Sequence, residues 1–301
     1  MTPWPSVGVV VPTRDRPALV RQALAGVAGQ DYPGPVRVVV VFDQAEPDQG
    51  LAGGAVTVIA NTRTAGLAGA RNSGILALGT DLVAFCDDDD VWLPGKLRAQ
   101  VSALLARPGA QFASCGIRVR FEGGATDRLA GRDEVSHADL LRSRMVMVHS
   151  STYLAVRRAL LDHIGLVDES IPGSQNEDWD LALRAAAIRP IVNVDAPLVE
   201  VAWGAGSHYA RQWETKIAGL KWMLEHHPGI GRNRAGAARV HAQIAFGYAC
   251  LGRRAEAGRW AVRALRGNVF ERRVPFALAV ASGVVSGERV LRVLHARGHG
   301  I

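Results

Sequence analysis

The chain has 301 residues, of which 48% are hydrophobic, enough to bury a substantial core in one large domain with an appendage. Its three cysteines, Cys86, Cys115 and Cys250, are widely spaced, which argues against a disulfide framework or a zinc site and is typical of a reducing cytosol. The first residues lack the basic and apolar regions of a signal peptide. The longest apolar stretch, residues 274–285, is too short to span a bilayer. We therefore expect a cytoplasmic protein.

The net charge of +7 is unevenly distributed along the chain. Residues 228–301 contain 13 Arg and Lys residues but only 3 Asp and Glu residues, so all of the excess positive charge lies in the last quarter. A basic helical segment of this kind is usually a solvated surface, and contact with anionic lipid or an acidic partner is the alternative. We expect no nucleic-acid partner, and we consider peripheral contact with the inner face of a membrane.

Apolar runs alternate with helical patterns in the first third of the chain. β-Branched runs predict buried strands at residues 7–11, 36–42, 56–60 and 82–86. Apolar positions at helical spacing predict helices between them, at residues 17–30 and 69–78. Continuous apolar strands that alternate with helices indicate an α/β fold, with a mostly parallel, Rossmann-like sheet covered by helices on both faces.

The remainder of the chain changes from mixed to helical. We predict strands at residues 153–156 and 191–194 and helices at residues 158–164 and 178–187. Beyond about residue 216 the strand pattern stops. Two amphipathic segments, residues 239–252 and 255–265, resemble one tetratricopeptide-like hairpin, and a plain helical hairpin is the simpler interpretation. We therefore expect an α/β domain over residues 1–215 and a basic, all-helical extension over residues 216–301.

Four consecutive carboxylates, Asp87 to Asp90, follow the fourth predicted strand directly. Adjacent like charges are costly unless a cation neutralises them, and carboxylate oxygens suit hard divalent cations such as Mg²⁺ or Mn²⁺. Because side chains alternate along an extended chain, Asp87 and Asp89 are expected to project from one face. Pro12 and Thr13 end the first strand, and Asp43 ends the second. Ligands bind beyond the carboxyl ends of parallel strands, so these groups are expected to converge on one site. A solvated acidic turn is the alternative.

Five ordered segments resemble the signatures of the family 2 glycosyltransferases, which have the GT-A nucleotide-diphospho-sugar transferase fold. They are Val11-Pro12-Thr13-Arg14-Asp15-Arg16-Pro17, Asp43, Gly66 through Gly69-Ala70-Arg71-Asn72-Ser73-Gly74, Phe85-Cys86-Asp87-Asp88-Asp89-Asp90-Val91-Trp92-Leu93-Pro94, and Glu177-Asp178-Trp179-Asp180-Leu181 with Arg184. The resemblance covers residues 1–215. The chain departs from the family pattern with Gln44-Ala45-Glu46 after Asp43, and with Arg14 where a tyrosine is frequent.

The resemblance implies roles for these residues. Asp43 is expected to contact the nucleotide base, and the acidic run to hold the metal, with Asp89 and Asp87 as ligands. The other residues expected to contact the substrate are Pro12, Thr13, Arg16, Gly66, Arg71, Asp87, Asp88 and Trp92. His208 is expected to be an additional metal ligand, because some relatives use a histidine near this point, and a solvated histidine is the alternative.

The chemistry of sugar transfer agrees with these roles. A departing diphosphate develops negative charge, which Arg71, near the start of the helix at residues 69–78, would neutralise together with a cation. The acceptor hydroxyl must lose a proton, and Asp178 is the candidate base, with Glu177 as the alternative. Both carboxylates also suit the positive end of a helix dipole, which is their structural alternative.

We therefore predict a metal-dependent glycosyltransferase that uses Mn²⁺ or Mg²⁺ and a nucleotide-diphospho-sugar. The resemblance implies a UDP-sugar and inversion at the anomeric carbon. The expected acceptor is a carbohydrate, lipid-linked or small molecule, in glycan, cell-envelope or natural-product glycoside synthesis. A nucleotidyltransferase is one alternative, but it would need a glycine-rich loop after the first strand, where this chain has Pro12-Thr13-Arg14-Asp15-Arg16. A non-catalytic scaffold on the same fold is the other.

Overall fold

The computed structural model describes residues 4–145, 147–203, 212–297 and 300–301. In these residues the strands are β1 (Val7–Thr13), β2 (Val36–Phe42), β3 (Val56–Ala60), β4 (Leu82–Phe85), β5 (Asp90–Trp92), β6 (Phe112–Phe121), β7 (Gly124–Arg128), β8 (Glu134–Val135), β9 (Leu154–Val156) and β10 (Ile191–Ala202). The helices are α1 (Pro17–Ala28), α2 (Leu67–Ala77), α3 (Lys96–Leu105), α4 (His137–Arg142), α5 (Arg157–Ala159), α6 (Glu177–Ile188), α7 (Trp213–His226), α8 (Pro228–Arg232), α9 (Arg234–Cys250), α10 (Arg254–Gly267), α11 (Arg273–Ala281) and α12 (Gly287–His295). A π-helical turn, Leu160–Ile164, continues α5, and short 3₁₀ turns lie at Gln49–Leu51, Ser150–Thr152 and Pro172–Ser174.

All ten strands belong to one mixed sheet in the order β3-β2-β1-β4-β9-β6-β10-β5, with β7 beside β6 and β8 beside β10. The first four strands in this order are parallel, and in the register Val9 lies between Val38 and Ala84. Antiparallel β9 joins this half to β6, which runs parallel to β10. The predicted α/β class with a mostly parallel central sheet is confirmed.

Helices cover both faces of the sheet because the strands are apolar on both faces. Val9 and Val11 pack on the side that carries α1, whereas Val10 packs on the side that carries α2. Helix α2 approaches β1 very closely, since a β-carbon on Gly74 would lie 2.3 Å from a methyl group of Val10. This close packing fixes the start of α2 beside the carboxyl end of β1.

The acidic run lies between the end of β4 and the start of β5. The amide of Cys86 still donates to the carbonyl of Val10 at 3.0 Å, but the chain then turns, and the amide of Asp90 donates back to the carbonyl of Asp87 at 3.1 Å. Strand β5 pairs antiparallel with the end of β10, where Asp90 lies opposite Val201. Asp87 to Asp89 are therefore carried by a turn, and Asp90 begins β5.

The helices after β10 pack around α9, which contacts α7, α8, α10, α11 and α12. Helices α9 and α10 form a helical hairpin, and the buried small residues Ala257 and Ala261 allow the two helices to approach closely. Leu181 of α6, Ile217 of α7 and Val240 of α9 belong to one continuous apolar cluster. The helical part thus shares its core with the α/β part. Among the described residues, no helix is both long enough and apolar enough to cross a membrane.

Candidate active site

A cavity of about 1220 Å³ opens at the carboxyl ends of the parallel strands, where ligands bind in folds of this class. One wall consists of the ends of β1 and β2, the start of α2 and the acidic run, and the opposite wall consists of α7, α9 and α12. The residues expected from the sequence that line it are Pro12, Thr13, Arg16, Asp43, Gly66, Asp87, Asp88, Asp89, Glu177 and Asp178. Residues separated by up to 166 positions in the chain therefore face one space.

Asp43 is held at the end of β2 by hydrogen bonds from the start of α2. The amide of Gly66 donates to both carboxylate oxygens at 3.0 and 3.1 Å, and Nδ2 of Asn61 donates to Oδ1 at 2.8 Å. Gly66 adopts φ of +121°, a conformation that disfavours any side chain. Burial alone would raise the pKa of Asp43, but these hydrogen bonds keep it below the ordinary value. The carboxylate is therefore ionised and fixed in place, so that it can accept hydrogen bonds from ligand N–H or O–H groups.

The middle of the acidic run is tied to the residues after β1. Oγ1 of Thr13 donates to Asp88 at 2.7 Å, and Nη1 of Arg16 donates to Asp88 at 3.0 Å and to Asp89 at 2.9 Å. Asp88 is buried, which raises its pKa, whereas the Asp89 side chain is 40% exposed. Thr13 and Arg16 thus neutralise and orient two of the four carboxylates.

Arg71 lies beneath the cavity and does not line it. Its side chain is only 2% exposed, and its guanidinium donates to Oδ1 of Asp87 at 2.6 Å and to Oε1 of Glu177. Burial disfavours the charged form, yet the two carboxylates raise the pKa of Arg71. The predicted direct contact with a diphosphate does not fit this arrangement, because both ends of the guanidinium are occupied by protein carboxylates. Arg71 instead positions one carboxylate of the acidic run relative to α6.

Three potential metal ligands, Asp87, Asp90 and His149, each offer a donor atom within 4.8 Å of the other two. Oδ2 of Asp90 is buried without a hydrogen-bond partner in the described part of the chain, and it faces Nδ1 of His149 at 3.5 Å. Burial raises the pKa of Asp90 to about 7. The two carboxylates offer oxygen ligands of the kind that Mn²⁺ and Mg²⁺ take, and the imidazole offers a nitrogen ligand of the kind that divalent transition metals take. The residues present therefore fit a divalent cation.

This group differs from the metal ligands expected from the sequence. Asp87 belongs to it, but Asp89 lies outside it and forms an ion pair with Arg16. His208 lies outside the described residues. His149 precedes a 3₁₀ turn and belongs to no sequence motif, so only the folded chain identifies it beside Asp87. A metal-ligating role for Asp89 remains a prediction.

Glu177 and Asp178 begin α6 and both line the cavity. Burial raises the pKa of Glu177 to about 7, and the neighbouring guanidinium of Arg71 limits this shift. Asp178 accepts a hydrogen bond from Nη2 of Arg144 at 2.6 Å, and its backbone carbonyl accepts one from the hydroxyl of Tyr153 at 2.9 Å. Asp178 is therefore oriented by a residue that the sequence did not single out.

Trp92 is a correction to the expected substrate contacts. Its side chain is 2% exposed, and it is absent from the described residues that line the cavity. The indole Nε1 donates to the carbonyl of Ser151 at 3.1 Å, and Nζ of Lys96 lies 3.9 Å from the ring centre. The residue is part of the core because β5 turns inward to pair with β10. The indole therefore belongs to the core and not to the cavity wall.

The helical part supplies aromatic and polar side chains to the cavity that the sequence did not predict. Trp213 and Lys216 of α7 and His295 of α12 line it. Trp203, which follows β10 and lies outside the helical part, also lines it. The His295 ring packs between Phe121 and Trp203, with ring centres 5.6 and 5.2 Å apart. These contacts fix α12 against the ends of β6 and β10. The helical wall is thus part of the same site.

Comparison with known proteins gives one family. The model of the family described as glycosyl transferase family 2 matches residues 8–165. The chain is similar to an uncharacterized glycosyltransferase, YwdF, of Bacillus subtilis (strain 168), with 24% identity over 184 residues that cover 60% of this chain and 68% of the relative.

Two solved structures have a similar fold. Residues 1–349 of TarS from S. aureus in complex with UDP-GlcNAc align with a TM-score of 0.62 and 15% identity, covering 98% of this chain and 92% of that one. The mannosyltransferase PcManGT from Pyrobaculum calidifontis, in complex with GDP-Man and Mn²⁺, aligns with a TM-score of 0.57 and 18% identity, covering 98% of this chain and 85% of that one. Both likenesses extend over the C-terminal helices as well as the sheet.

Proposed function

Because the chain belongs to glycosyl transferase family 2, we propose that this glycosyltransferase moves a sugar from a nucleotide-diphospho-sugar, specifically a UDP-sugar, to an acceptor hydroxyl in a metal-dependent, inverting reaction. The observation that carries the proposal is the meeting, in one cavity, of a fixed carboxylate at β2, a group of cation ligands at β4 and β5, and a carboxylate pair at α6. Family membership favours this activity over nucleotidyl transfer and over a scaffold role.

The nucleotide half of the donor would bind at the ends of β1 and β2. Asp43 presents an ionised carboxylate to a base or ribose, and Gly66 leaves room for the ligand above the start of α2. Pro12 and Thr13 line the same end of the cavity. The neighbouring structures bear on the class of ligand, since the TarS structure contains UDP-GlcNAc and the PcManGT structure contains GDP-Man. We assign a nucleotide-sugar on these grounds and the uridine base on the family resemblance.

The diphosphate would bind beside the cation ligands. Asp87, Asp90 and His149 would hold Mn²⁺ or Mg²⁺, which when bound neutralises charge on the departing diphosphate. The PcManGT structure contains Mn²⁺, which supports this class of cation. Arg71 keeps Asp87 ionised and oriented from below. Asp88 and Asp89 are held by Thr13 and Arg16, which limits repulsion within the acidic run.

Transfer itself requires a base near the sugar's anomeric carbon. The acceptor hydroxyl would lose its proton to Asp178, its oxygen would bond to the anomeric carbon, and the bond from that carbon to the diphosphate would break. Attack from the face opposite the leaving group inverts the configuration. Arg144 orients the base by its hydrogen bond to Oδ2. Glu177, whose Oε1 accepts from Arg71, is the alternative base.

The acceptor would approach along the helical wall. Trp203 and Trp213 offer aromatic rings, on which the apolar face of a sugar stacks. The proposed acceptor is a carbohydrate, lipid-linked or small molecule, and the proposed location is the cytoplasm. The basic C-terminal helices are a candidate for peripheral contact with the inner face of a membrane.

The base assignment is tested with Asp178→Asn. The variant should bind UDP-sugars with Mn²⁺ as the wild type does in calorimetry, while hydrolysis or transfer falls roughly 10²–10⁴-fold, as expected for a missing general base. Asp162→Asn, at an exposed position that is not among the residues lining the cavity, is the matched control. Retained turnover in Asp178→Asn with loss in Glu177→Gln would reverse the assignment.

The metal assignment is tested by comparing three variants in the same calorimetric assay. Asp90→Asn and His149→Ala should each weaken Mn²⁺-dependent donor binding about tenfold or more, and Asp89→Asn should have a smaller effect because its carboxylate is engaged by Arg16. Weaker Mn²⁺-dependent donor binding in Asp89→Asn alone would instead favour the metal ligands expected from the sequence, Asp89 and Asp87.

A further inference from the structure

An apolar surface is exposed along α11 and at both of its ends. Phe270, just before the helix, and Val284, just after it, are each 84% exposed, and Val269 is also exposed. Phe276 and Leu278 are exposed on the helix itself. We call this set of five residues the α11 surface. Exposed apolar residues that occur singly are ordinary, but Val269 and Phe270 are adjacent and both strongly exposed.

Helix geometry places the members of this set at different positions around α11. Val274, Ala277 and Val280 are buried and recur at three-residue spacing, so they define the inner face of α11, which packs on α9 and α10. Phe276 and Leu278 are two positions apart and lie on the two flanks of this inner face. The helix has nine residues, so it is only about 14 Å long, and the most exposed apolar residues lie just beyond its ends: Val269 and Phe270 at one end and Val284 at the other.

The turn before α11 is ordered in a way that displays its apolar residues. The amide of Glu271 donates to the carbonyl of Asn268 at 3.1 Å, and the amide of Phe270 donates to the Asn268 side chain at 3.1 Å. These bonds direct the polar backbone inward. Val269 and Phe270 are consequently presented to solvent.

The charges around the α11 surface are almost all positive. Between residues 268 and 285 the only acidic residue is Glu271, which is buried and paired with Arg273 at 2.7 Å. Arg266 and Arg272 are exposed beside Phe270. The surface therefore combines apolar side chains with two arginines that form no ion pair within the described part of the chain, a combination that suits an anionic lipid interface. Contact with an apolar protein partner would not explain the exposed arginines, and contact with water alone would not explain the exposed Phe270.

We propose that the α11 surface docks the protein on an anionic bilayer, with Val269 and Phe270 entering the headgroup region and Arg266 and Arg272 contacting lipid phosphates. Helix α11 packs against α9, and α9 contributes Gln243 to the wall of the cavity. Helix α9 therefore lies between the α11 surface and the cavity wall along which the acceptor is proposed to approach. The proposal does not depend on the identity of the donor or of the catalytic base.

The test is co-sedimentation of the full chain with vesicles of phosphatidylcholine, with or without phosphatidylglycerol, at low and high salt. The wild type should bind the anionic vesicles at low salt and dissociate as salt screens the attraction. Arg266→Gln with Arg272→Gln should weaken binding about 30-fold, at roughly fivefold for each arginine. Val269→Ser with Phe270→Ser should weaken it at least about tenfold.

Matched controls separate the surface from general charge and hydrophobicity. Leu105→Ser removes an exposed apolar side chain from α3, and Arg37→Gln with Arg158→Gln removes two exposed arginines elsewhere. Both should bind vesicles as the wild type does. Circular dichroism spectra and melting temperatures without vesicles should match the wild type in all four variants, which shows that they are folded.

Three outcomes would overturn the proposal. The first is equal binding to neutral and anionic vesicles, or no binding at all. The second is wild-type binding by the Val269→Ser, Phe270→Ser variant. The third is self-association of the wild type in light scattering that this variant abolishes, since the surface would then be covered by a second copy of the chain.

Discussion

Replacement of Arg71 by methionine should destabilise the protein strongly at alkaline pH. The guanidinium is buried and donates to both Asp87 and Glu177. Methionine keeps the aliphatic bulk but removes the positive charge, so two nearby carboxylates lose their common counter-ion. Removal of one partner from a buried ion pair costs about 3–5 kcal/mol of unfolding free energy. Since Asp87 and Glu177 also line the cavity, water reaches them in part, and we expect a value near 3 kcal/mol.

The pH dependence follows from Glu177. Burial raises its pKa to about 7 from an ordinary value of 4.5, so its protonation favours the folded state. This contribution is complete below about pH 4.5 and is lost as the pH rises through 7. Without Arg71, ionisation of Glu177 in the folded protein costs still more free energy. The destabilisation should therefore be largest above pH 7 and should shrink toward pH 5, where a protonated Glu177 needs no counter-ion.

Thermal unfolding at pH 8 and pH 5 measures the effect. At about 2 °C per kcal/mol for a chain of this size, Arg71→Met should melt roughly 6 °C below the wild type at pH 8. The double variant Arg71→Met, Glu177→Gln should recover part of the loss, because one of the two uncompensated charges is gone. Arg157→Met, whose guanidinium donates to the carbonyl of Ile75, is the control and should show no such pH dependence. A melting temperature within about 2 °C of the wild type at pH 8, or an equal loss at both pH values, would refute the reasoning.

Two further variants test structural placements. Trp92→Phe removes the hydrogen bond to Ser151 and should lower the free energy of chemical unfolding by about 1–2 kcal/mol. The KM for the donor should be unchanged. A raised KM with unchanged stability would place Trp92 in the binding site. Gly66→Ala should lower the free energy of unfolding by about 1–3 kcal/mol, because alanine is strained at φ of +121°. It should also weaken nucleotide binding in calorimetry, because Asp43 would be displaced. Full nucleotide affinity in a destabilised variant would show that Asp43 does not contact the donor.

Local patterns in the sequence were sufficient for the sheet and for the region of the site. Continuous apolar runs are typical of parallel strands covered on both faces. All of β1 is buried, and so is most of β2, whereas β3, predicted as a buried strand, is an edge strand in which only Val58 is buried. The ends of parallel strands share one edge, which is why Thr13, Asp43 and Asp87 meet as expected.

The tertiary structure alone decided which side chains face the cavity. Alternation along an extended chain pairs Asp87 with Asp89, but the chain turns after Cys86, and pairing of β5 with β10 brings Asp90 beside His149 and buries Trp92. Arg71 likewise appears available at a helix start, yet the close contact of α2 with β1 places it beneath the cavity. The helical wall with Trp213 and His295 has no sequence motif, because it forms only when α7 and α12 pack on the same core as α6. Periodicity records which face of an element is apolar, whereas the position of a side chain in a site depends on long-range packing that periodicity does not contain.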